Sequence, residues 1–367
     1  MMGGNRGRLA DALVALNAAT LGRPAICRLA QELERWLDAP PRQLPALAGE
    51  LGVPARQLVS AHAQLRQANR LADGERAAAA AAGATVTTWL DPEFPAELRH
   101  LQLPPPVLYC RGAIPAAPAV AIVGSRRPDT YGREAARFFA QELARHGVTV
   151  VSGFARGVDG AAHRGALAMP QGRTVAVLGC GVDVLYPAEH RSLRPQVAAH
   201  GALVSEFPLG TQPLKAHFPI RNRIIAALGA ATLVVQATPR SGSLITARLA
   251  LELGREVLAL PGRIFDELAL GPNALLRDGA RPALHPHDLL PEGLVAPADE
   301  GEELPPPLPG LSARLWRQLP TGKARGVDEL AAAVDAAAPA VLAALLELEL
   351  GGWVERFPGP VYCRRRP

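Results

Sequence analysis

The sequence predicts an α/β protein built on a doubly wound, mostly parallel sheet, with a small helical domain before it and a winged helix-turn-helix domain after it. Three observations support this prediction. Leucines recur at helical spacing up to about residue 82, six short apolar runs then alternate with amphipathic stretches, and three further helices precede a hairpin at the end of the chain. The chain has 367 residues, which allows about two to four domains.

Residues 1–82 are expected to form a small all-helical domain, because Leu9, Leu13 and Leu16 and the later leucines recur at helical spacing. Within it, LAGELGVPARQLVSAH (residues 47–62) has the pattern of a helix, a turn at Gly52 and a second helix that starts near Pro54. This pattern is found in DNA-reading helix-turn-helix motifs and also in small packed helical hairpins. Both interpretations are open at the sequence level.

The domain of residues 83–290 is expected to contain the parallel sheet, because its apolar runs are short, continuous and rich in β-branched residues, as strands buried on both faces are. Amphipathic segments between them predict helices over residues 133–146, 158–169 and 243–253. The predicted strands are residues 120–124, 149–152, 174–178, 202–205, 232–236 and 256–260.

Residues 291–310 hold six prolines and five acidic residues, a composition typical of an extended linker. After this linker, helices are predicted over residues 311–319, 327–334 and 339–350, followed by a hairpin, in the order of a winged helix-turn-helix domain (residues 311–367). Its recognition helix, PAVLAALLELEL, contains Glu347 and Glu349 and no basic residue. We therefore predict that this helix contacts protein and does not read duplex DNA.

Composition excludes several classes of protein. Hydrophobic residues make up 49% and charged residues 20% of the chain, which excludes wholesale disorder. No apolar run approaches the roughly 20 residues that span a bilayer, and the N-terminus lacks the apolar segment of a signal peptide. We therefore expect a cytoplasmic protein with no membrane association.

The four cysteines are scattered and show no C-x-x-C spacing. This argues against a disulfide framework and against a zinc site with four ligands. We expect four reduced thiols, at Cys27, Cys110, Cys180 and Cys363.

Charge is distributed unevenly along a chain whose formal net charge is +5. Residues 211–281 hold nine basic and five acidic side chains, whereas residues 291–310 hold five acidic and no basic ones. The near absence of lysine is also what a GC-rich genome produces. A basic middle nevertheless indicates a polyanionic partner.

Glycine-rich turns follow several predicted strands, and ligands of open parallel sheets bind at these carboxyl ends. The turns are GSRRPDTYG (residues 124–132), SGFARG (152–157), GCGVDVLYP (179–187) and TPRSGSLITA (238–247). Small residues permit close backbone approach, helix N-termini present free N–H groups, and arginines add positive charge. Phosphates are the expected ligands, with positive charge from Arg126, Arg127, Arg156 and Arg240 and hydroxyl donors from Ser125, Ser152, Ser241 and Ser243.

The densest cluster of candidate residues is PLKAHFPIRNRII, residues 213–225. Lys215, Arg221 and Arg223 can neutralise neighbouring phosphates, and Phe218 offers a face on which an unpaired base can stack. Basic residues interleaved with an aromatic ring are typical of single-strand binding. The alternative is that Phe218 packs in the core and that Asn222 and Arg223 pair with residues of the sheet.

Other kinds of site have little support. Asp159 and His163 stand four residues apart, but two ligands do not complete a metal site, and an aspartate in a first turn usually stabilises the helix N-terminus. The first turn lacks the G-x-G-x-x-G pattern of dinucleotide sites, and no G-x-x-x-x-G-K-[ST] motif is present. We therefore expect no catalytic residue, no metal and no cofactor.

The ordered motifs AIVGSRRPDTYG, VVSGFARGVDGAAH, TVAVLGCGVDVLYP, SEFPLGTQP, FPIRNRIIAAL, SGSLITARLAL and LPGRIFDELALGPNALLRDGA closely resemble the DNA-processing protein A (DprA/Smf) family, over about residues 85–290. The resemblance implies an extended Rossmann-like domain, with a SAM-like helical domain before it and a winged helix after it. It also implies a non-enzymatic homodimer that binds and protects incoming single-stranded DNA in natural transformation and loads the RecA recombinase onto it. The DNA-binding residues implied are Gly124, Ser125, Arg126, Ser152, Gly153, Arg156, Lys215, Phe218, Arg221, Asn222, Arg223, Arg240, Ser241, Gly242 and Ser243.

The chain departs from the family pattern at Gln236, where glutamate is usual, and at His190, where asparagine is common. Neither change removes a basic group. Two rival functions remain: a Rossmann-like nucleotide phosphoribohydrolase, although PRSGSLITA lacks that family's PGG-x-GT turn and has no acid before Glu252, and a winged-helix transcription regulator.

Overall fold

A computed structural model of the chain describes residues 2–19, 21–290, 310–319, 325–357, 359 and 361–364. The chain forms two compact units, residues 1–294 and 295–367. Most of the predicted linker, residues 291–309, lies outside the described residues. The domain boundary predicted at residue 82 stays a prediction.

The first unit begins with helices that lead into two strands. These elements are α1 (Met2–Asn17), α2 (Arg23–Gln31), α3 (Leu33–Trp36), α4 (Leu44–Glu50), α5 (Ala55–Leu65), α6 (Ala68–Ala81), β1 (Thr85–Thr88), α7 (Ala96–Arg99) and β2 (Val107–Gly112). Helices α4 and α5 confirm the predicted helical hairpin, with the turn at Gly52 and the second helix beginning after Pro54.

Strands and helices then alternate as predicted. They are β3 (Ala119–Val123), α8 (Thr130–Arg145), β4 (Thr149–Ser152), α9 (Val158–Leu167), β5 (Thr174–Val177), α10 (Leu193–Ala199), β6 (Gly201–Ser205), α11 (His217–Leu228), β7 (Ala231–Val234), α12 (Gly242–Glu252), β8 (Glu256–Ala259), α13 (Leu270–Arg277) and β9 (Arg281–Pro282). Short 3-10 helices lie at Pro41–Gln43, Ala188–His190, Glu267–Ala269 and Pro286–Leu289.

Within the described residues, nine strands form one sheet in the order β1-β2-β6-β5-β4-β3-β7-β8-β9. The seven strands β6-β5-β4-β3-β7-β8-β9 pair in parallel. Strands β1 and β2 add an antiparallel edge beside β6. From β3 the chain first builds outward through β4, β5 and β6, and then returns to the other side of β3 with β7. The fold class is therefore confirmed, and the order of strands reverses between β3 and β7.

Helices cover both faces of the sheet, and the strands in its middle are therefore buried. Residues of α8 and α9 pack with Val120, Ile122 and Val150 on one face, and residues of α11 and α12 pack with Ala121, Val123 and Val234 on the other. Burial of these apolar side chains stabilises the fold by roughly 1.5–3 kcal/mol for each large side chain.

The N-terminal helices share their core with the antiparallel edge of the sheet. Trp36, in α3, is fully buried in a cluster that also contains Tyr109 of β2 and Leu203 of β6. Cys27 lies in the same region, and all four cysteines are buried. Burial raises the pKa of the Cys27, Cys110 and Cys180 thiols to about 11.

The second unit has the predicted order of three helices and a hairpin. Its elements are α14 (Gly310–Gln318), β10 (Arg325–Gly326), α15 (Val327–Val334), α16 (Ala338–Leu350), β11 (Val354–Phe357) and β12 (Val361–Arg364). Strand β12 pairs antiparallel with both β10 and β11. Besides its acidic residues, α16 exposes Leu342, Leu346 and Leu350 on one side, and its proposed contact with protein stays a prediction.

Among the described residues, no single helix combines the length and the apolar character that crossing a membrane requires. The pair α15 and α16 meets that requirement only when both are counted together, and they are bent by 104°.

Candidate functional site

A pocket of about 590 Å³ lies beyond the carboxyl ends of β3 and β7, where the strand order reverses. This is the place where open parallel sheets bind ligands. Ten of the predicted residues line it: Gly124, Ser125, Arg126, Lys215, Phe218, Arg221, Asn222, Ser241, Gly242 and Ser243. Its wall also includes Arg127, Ala155, Asp159, Thr238 and Thr246.

The first turn, which follows β3, is held in place by Gln236 at the end of β7. The backbone carbonyl of Gln236 accepts a hydrogen bond from the Ser125 N–H at 2.6 Å. Its buried side chain donates to the Asp129 carboxylate at 2.9 Å and accepts from the Asp129 N–H at 3.2 Å. Asp129 in turn caps α8 by accepting from the Gly132 N–H at 2.7 Å. The glutamine amide can donate to this carboxylate, which a glutamate would repel.

The N-terminus of α12 forms the opposite wall of the pocket. Ser241 caps this helix, and its hydroxyl lies 2.8 Å from the Ser243 hydroxyl. The Asn222 amide of α11 donates to the Gly242 carbonyl at 3.2 Å, which fixes α11 against the start of α12. Free N–H groups and the dipole at a helix N-terminus favour an anion, so this wall suits a phosphate group.

Three exposed cations line the pocket: Arg126, Arg127 and Lys215. None of them forms an ion pair with another described residue. Their charge is therefore available to a ligand. A chain of phosphates is the polyanion that several separate cations in one groove can follow.

Phe218, at the start of α11, is half-buried in the pocket wall and does not lie in the buried core. The Arg126 guanidinium carbon lies 5.0 Å from the centre of its ring, within the range of a cation–π contact. Tyr186 lies beside it, with ring centres 5.7 Å apart. Tyr186 is not among the predicted residues, although it lies near the end of the glycine-rich turn after β5 and is 36% exposed. The two rings give the groove aromatic surface next to positive charge.

Arg221 lines the pocket from beneath and is almost fully buried, with 4% exposure. One of its guanidinium nitrogens donates to the carbonyls of Gly153 and Val177. Its Nε donates to the Asn222 amide oxygen at 3.0 Å. Burial lowers its pKa to about 10. These contacts hold the site together, and the direct phosphate contact expected of Arg221 stays a prediction.

Gly153 explains how Arg221 reaches this position. A side-chain carbon built on Gly153 would overlap the Arg221 guanidinium group. Glycine is therefore needed here for the close approach of Arg221, and the predicted contact of Gly153 with DNA stays a prediction.

Four other predicted residues do not line the pocket. Ser152 is fully buried and donates to the Ile122 carbonyl at 2.6 Å. Arg156 forms an ion pair with Glu189 at 2.8 Å. Arg223 forms a buried ion pair with Glu206, and Arg240 is exposed beside the pocket wall. Of these, Arg156 and Arg240 keep exposed positive charge near the glycine-rich turns.

Arg223 contacts the N-terminal part of the unit. Its Nη1 and Nη2 atoms lie 2.5 and 2.8 Å from the two carboxylate oxygens of Glu206, which has no exposed surface. Its Nε donates to the Leu103 carbonyl at 2.9 Å. Burial opposes the charge of Arg223, but the Glu206 carboxylate outweighs it and holds the pKa of Arg223 above its usual value. The alternative in which Arg223 pairs inside the protein is the one that the structure contains.

Asp159 and His163 face different partners. Asp159 accepts a hydrogen bond from the Ala155 N–H at 3.1 Å, and burial raises its pKa. His163 is fully buried, and its Nδ1 lies 2.7 Å from the Thr174 hydroxyl. Across the described part of the chain, no group of three or more His, Cys, Asp or Glu side chains could hold a metal ion.

We predict that His163 makes the stability of the protein depend on pH. Burial lowers its pKa from 6.5 to about 3, so the unfolded chain binds the proton more tightly. The free energy of unfolding should then fall as pH decreases from about 6.5 towards 3, with a contribution of up to about 1.4 kcal/mol per pH unit. Urea unfolding at several pH values, compared between the wild type and His163→Gln, measures this. An equal slope in both proteins would contradict the prediction.

Comparison with known proteins gives two family matches. Residues 85–293 match the family model of DNA recombination-mediator protein A. Residues 299–360 match that of the DprA winged helix domain.

Individual proteins agree with these matches. Protein Smf of Escherichia coli K12 is 40% identical over 293 residues, which cover 75% of this chain and 76% of that protein. DNA processing protein DprA of Bacillus subtilis 168 is 40% identical over 203 residues, 54% of this chain and 68% of that protein. The X-ray structure of DprA from Streptococcus pneumoniae matches with a TM-score of 0.65 at 33% identity, covering 76% of this chain and 95% of that chain. A structure of DNA processing protein A from Helicobacter pylori, described as giving insight into a single-stranded DNA binding mode, matches with a TM-score of 0.50 at 32% identity, covering 56% and 93% of the two chains.

Proposed function

Because this chain belongs to the family of DNA recombination-mediator protein A, we propose that it binds single-stranded DNA in the pocket between β3 and β7. The observation that carries the proposal is the position of the Arg126 guanidinium beside the half-buried ring of Phe218, in a pocket also lined by Arg127 and Lys215. Cationic side chains neutralise the phosphates of the strand, and aromatic rings stack on its unpaired bases. A duplex keeps its bases stacked inside, so it cannot use the ring.

The surroundings of Asp159, the carboxylate in the pocket, support a function in binding without catalysis. Asp159 is buried, and it accepts the Ala155 N–H. This hydrogen bond fixes the loop before α9, so Asp159 has a structural role. We propose binding without catalysis and without a cofactor, and release of a base from a nucleoside monophosphate would contradict this.

The wider role that we propose comes from the family. The protein would protect incoming single-stranded DNA in the cytoplasm during natural transformation, act as a homodimer and load the RecA recombinase onto the strand. A strand-exchange assay with RecA tests the loading step, and sedimentation equilibrium tests the dimer. If the protein binds DNA but neither loads RecA nor forms a dimer, its function would be restricted to DNA binding.

Fluorescence anisotropy of a labelled, unstructured single strand at several salt concentrations tests the pocket. We expect tight binding that unlabelled duplex of equal length does not displace, because only unpaired bases reach the ring. The logarithm of the binding constant should fall with the logarithm of the salt concentration by about 0.7 per neutralised phosphate. Efficient displacement by duplex would contradict the proposed site.

Phe218→Ala is expected to weaken single-strand binding by about 1–3 kcal/mol, the value of one base stacked on an aromatic ring. The salt slope should change little, because no positive charge is removed. Phe218→Leu is the matched control, since leucine keeps apolar volume but has no aromatic face. If Phe218→Leu binds as tightly as the wild type, the ring serves packing and does not stack on a base.

A further inference from the structure

We propose that α4 and α5 form a second DNA-binding site, which takes duplex DNA through the exposed face of α5. This site is separate from the single-strand pocket and goes beyond the function proposed above. It rests on the geometry of the helical hairpin and on the charge of its outer face.

The hairpin is held in a fixed shape by its turn and by its inner face. Gly52 adopts a φ of +62°, which favours glycine, and the Val53 N–H donates to the Ala48 carbonyl at 3.0 Å. On the inner face, Ala48, Leu58 and Ala61 are each at most 2% exposed. A short turn containing glycine between two packed helices is the architecture of a helix-turn-helix motif.

The outer face of α5 is free to approach a groove. Arg56, Val59, Ser60 and Ala63 are exposed along one side of the helix. In a helix-turn-helix, the first residues of the second helix contact base edges. Here these positions offer a guanidinium group, a hydroxyl group and a small apolar side chain, which are the groups that read the major groove. Ala55 and Ala63 leave room for close approach of the helix backbone.

The charge around this face is positive. Residues 44–72 contain one acid, Glu50, against Arg56, Arg66 and Arg70. Asp38 also borders the surface groove beside Val59 and Arg66, and it is paired with Arg8 at 2.6 Å. Glu50 is already paired with Arg35 at 2.7 Å. All three arginines are exposed and form no ion pair with another described residue. Arg66 directly follows the last residue of α5, and Arg70 lies in the first turn of α6. From there both can contact the phosphates that border the groove.

Duplex DNA fits this face better than a single strand or a protein does. Helix α5 contains no Phe, Tyr or Trp, so it offers no aromatic ring for unpaired bases. Its exposed face carries the charge of Arg56 and the hydroxyl of Ser60 between small or medium-sized apolar side chains, whereas a protein-binding patch is depleted of charge at its centre. The contrast with α16 is direct, since α16 exposes leucines and glutamates.

The test uses the full chain, a labelled 20-base-pair duplex and a labelled single strand, each measured by anisotropy at several salt concentrations. Arg56→Ala/Arg66→Ala is expected to make the salt slope for duplex shallower by about 1.8 and to weaken duplex binding about 60-fold at 0.1 M salt, at about 0.9 per phosphate. Binding of the single strand should change less than about 2-fold. Arg137→Ala/Arg173→Ala, which removes the same charge from exposed positions elsewhere, is the matched control and should lose much less duplex affinity.

Three outcomes would overturn the proposal. The wild type could show no measurable duplex binding, the two double variants could bind duplex equally, or Arg56→Ala/Arg66→Ala could lose single-strand and duplex binding to the same extent. The last outcome would place these arginines on the path of the single strand. If single-strand binding is absent from the wild type while duplex binding depends on Arg56 and Arg66, the pocket proposal fails and this one stands.

Discussion

Replacing Arg126, Arg127 and Lys215 together by alanine is expected to weaken the binding of single-stranded DNA about 100-fold at 0.1 M salt. The three side chains are the exposed cations of the pocket. Each neutralised phosphate contributes about 0.7 to the salt slope, so the slope should become shallower by about 2.1. The loss corresponds to about 2.7 kcal/mol at 25 °C. Anisotropy titrations between 0.05 and about 0.5 M salt measure both quantities.

The matched control is Arg28→Ala/Arg137→Ala/Arg173→Ala, which removes three exposed positive charges that lie outside the pocket. It changes the net charge of the protein by the same amount. If the control loses as much affinity as the pocket variant, general electrostatic attraction would explain binding, and the pocket would have no special part in it.

Arg223→Ala is expected to lower the free energy of unfolding by about 3–5 kcal/mol, because it leaves the Glu206 carboxylate buried without its partner. The Arg223 side chain is 12% exposed and that of Glu206 is fully buried. The double variant Glu206→Leu/Arg223→Met should regain at least half of the loss, since replacing both partners by apolar residues removes the buried charge. Urea unfolding of Glu206→Leu, Arg223→Met and the double variant, each compared with the wild type, gives the coupling free energy.

Arg281→Ala is a useful comparison for this experiment. Arg281 pairs with Glu256, but both side chains are about half exposed, and such pairs contribute at most about 1 kcal/mol. A similar loss in Arg281→Ala and Arg223→Ala would show that burial of Glu206 has no special energetic effect.

Six of the seven parallel strands could be predicted from the sequence to within one or two residues, and the two-residue strand β9 was not predicted. A strand buried on both faces is a continuous apolar run, and AVAIV of β3 and TVAV of β5 have no competing interpretation. The antiparallel pairing of β2 with β6 was not predicted, because it joins residues that are far apart in the chain. Strand pairing of this kind leaves no local signal.

The candidate site could be located from the sequence, but the tasks of its arginines could not be separated. Arg221 and Arg223 stand two residues apart on α11, which places them on nearly opposite sides of the helix. One side chain therefore points beneath the pocket, and the other points to Glu206. Only the packing of α11 decides which is which. Tyr186 could not be predicted either, because its contact with Phe218 depends on the path of the long turn after β5.

The position of β2 has a consequence for the protein during its synthesis. Tyr109 of β2 pairs with Ser205 of β6, and the core beneath the N-terminal helices includes Leu203. A ribosome adds about 5–20 residues per second, so β2 emerges about 5 to 20 seconds before β6, the strand that completes the core of the N-terminal helices. During this interval the nascent chain exposes Trp36 and its apolar neighbours. We expect chaperones that bind nascent chains to act on this protein between the appearance of β2 and that of β6.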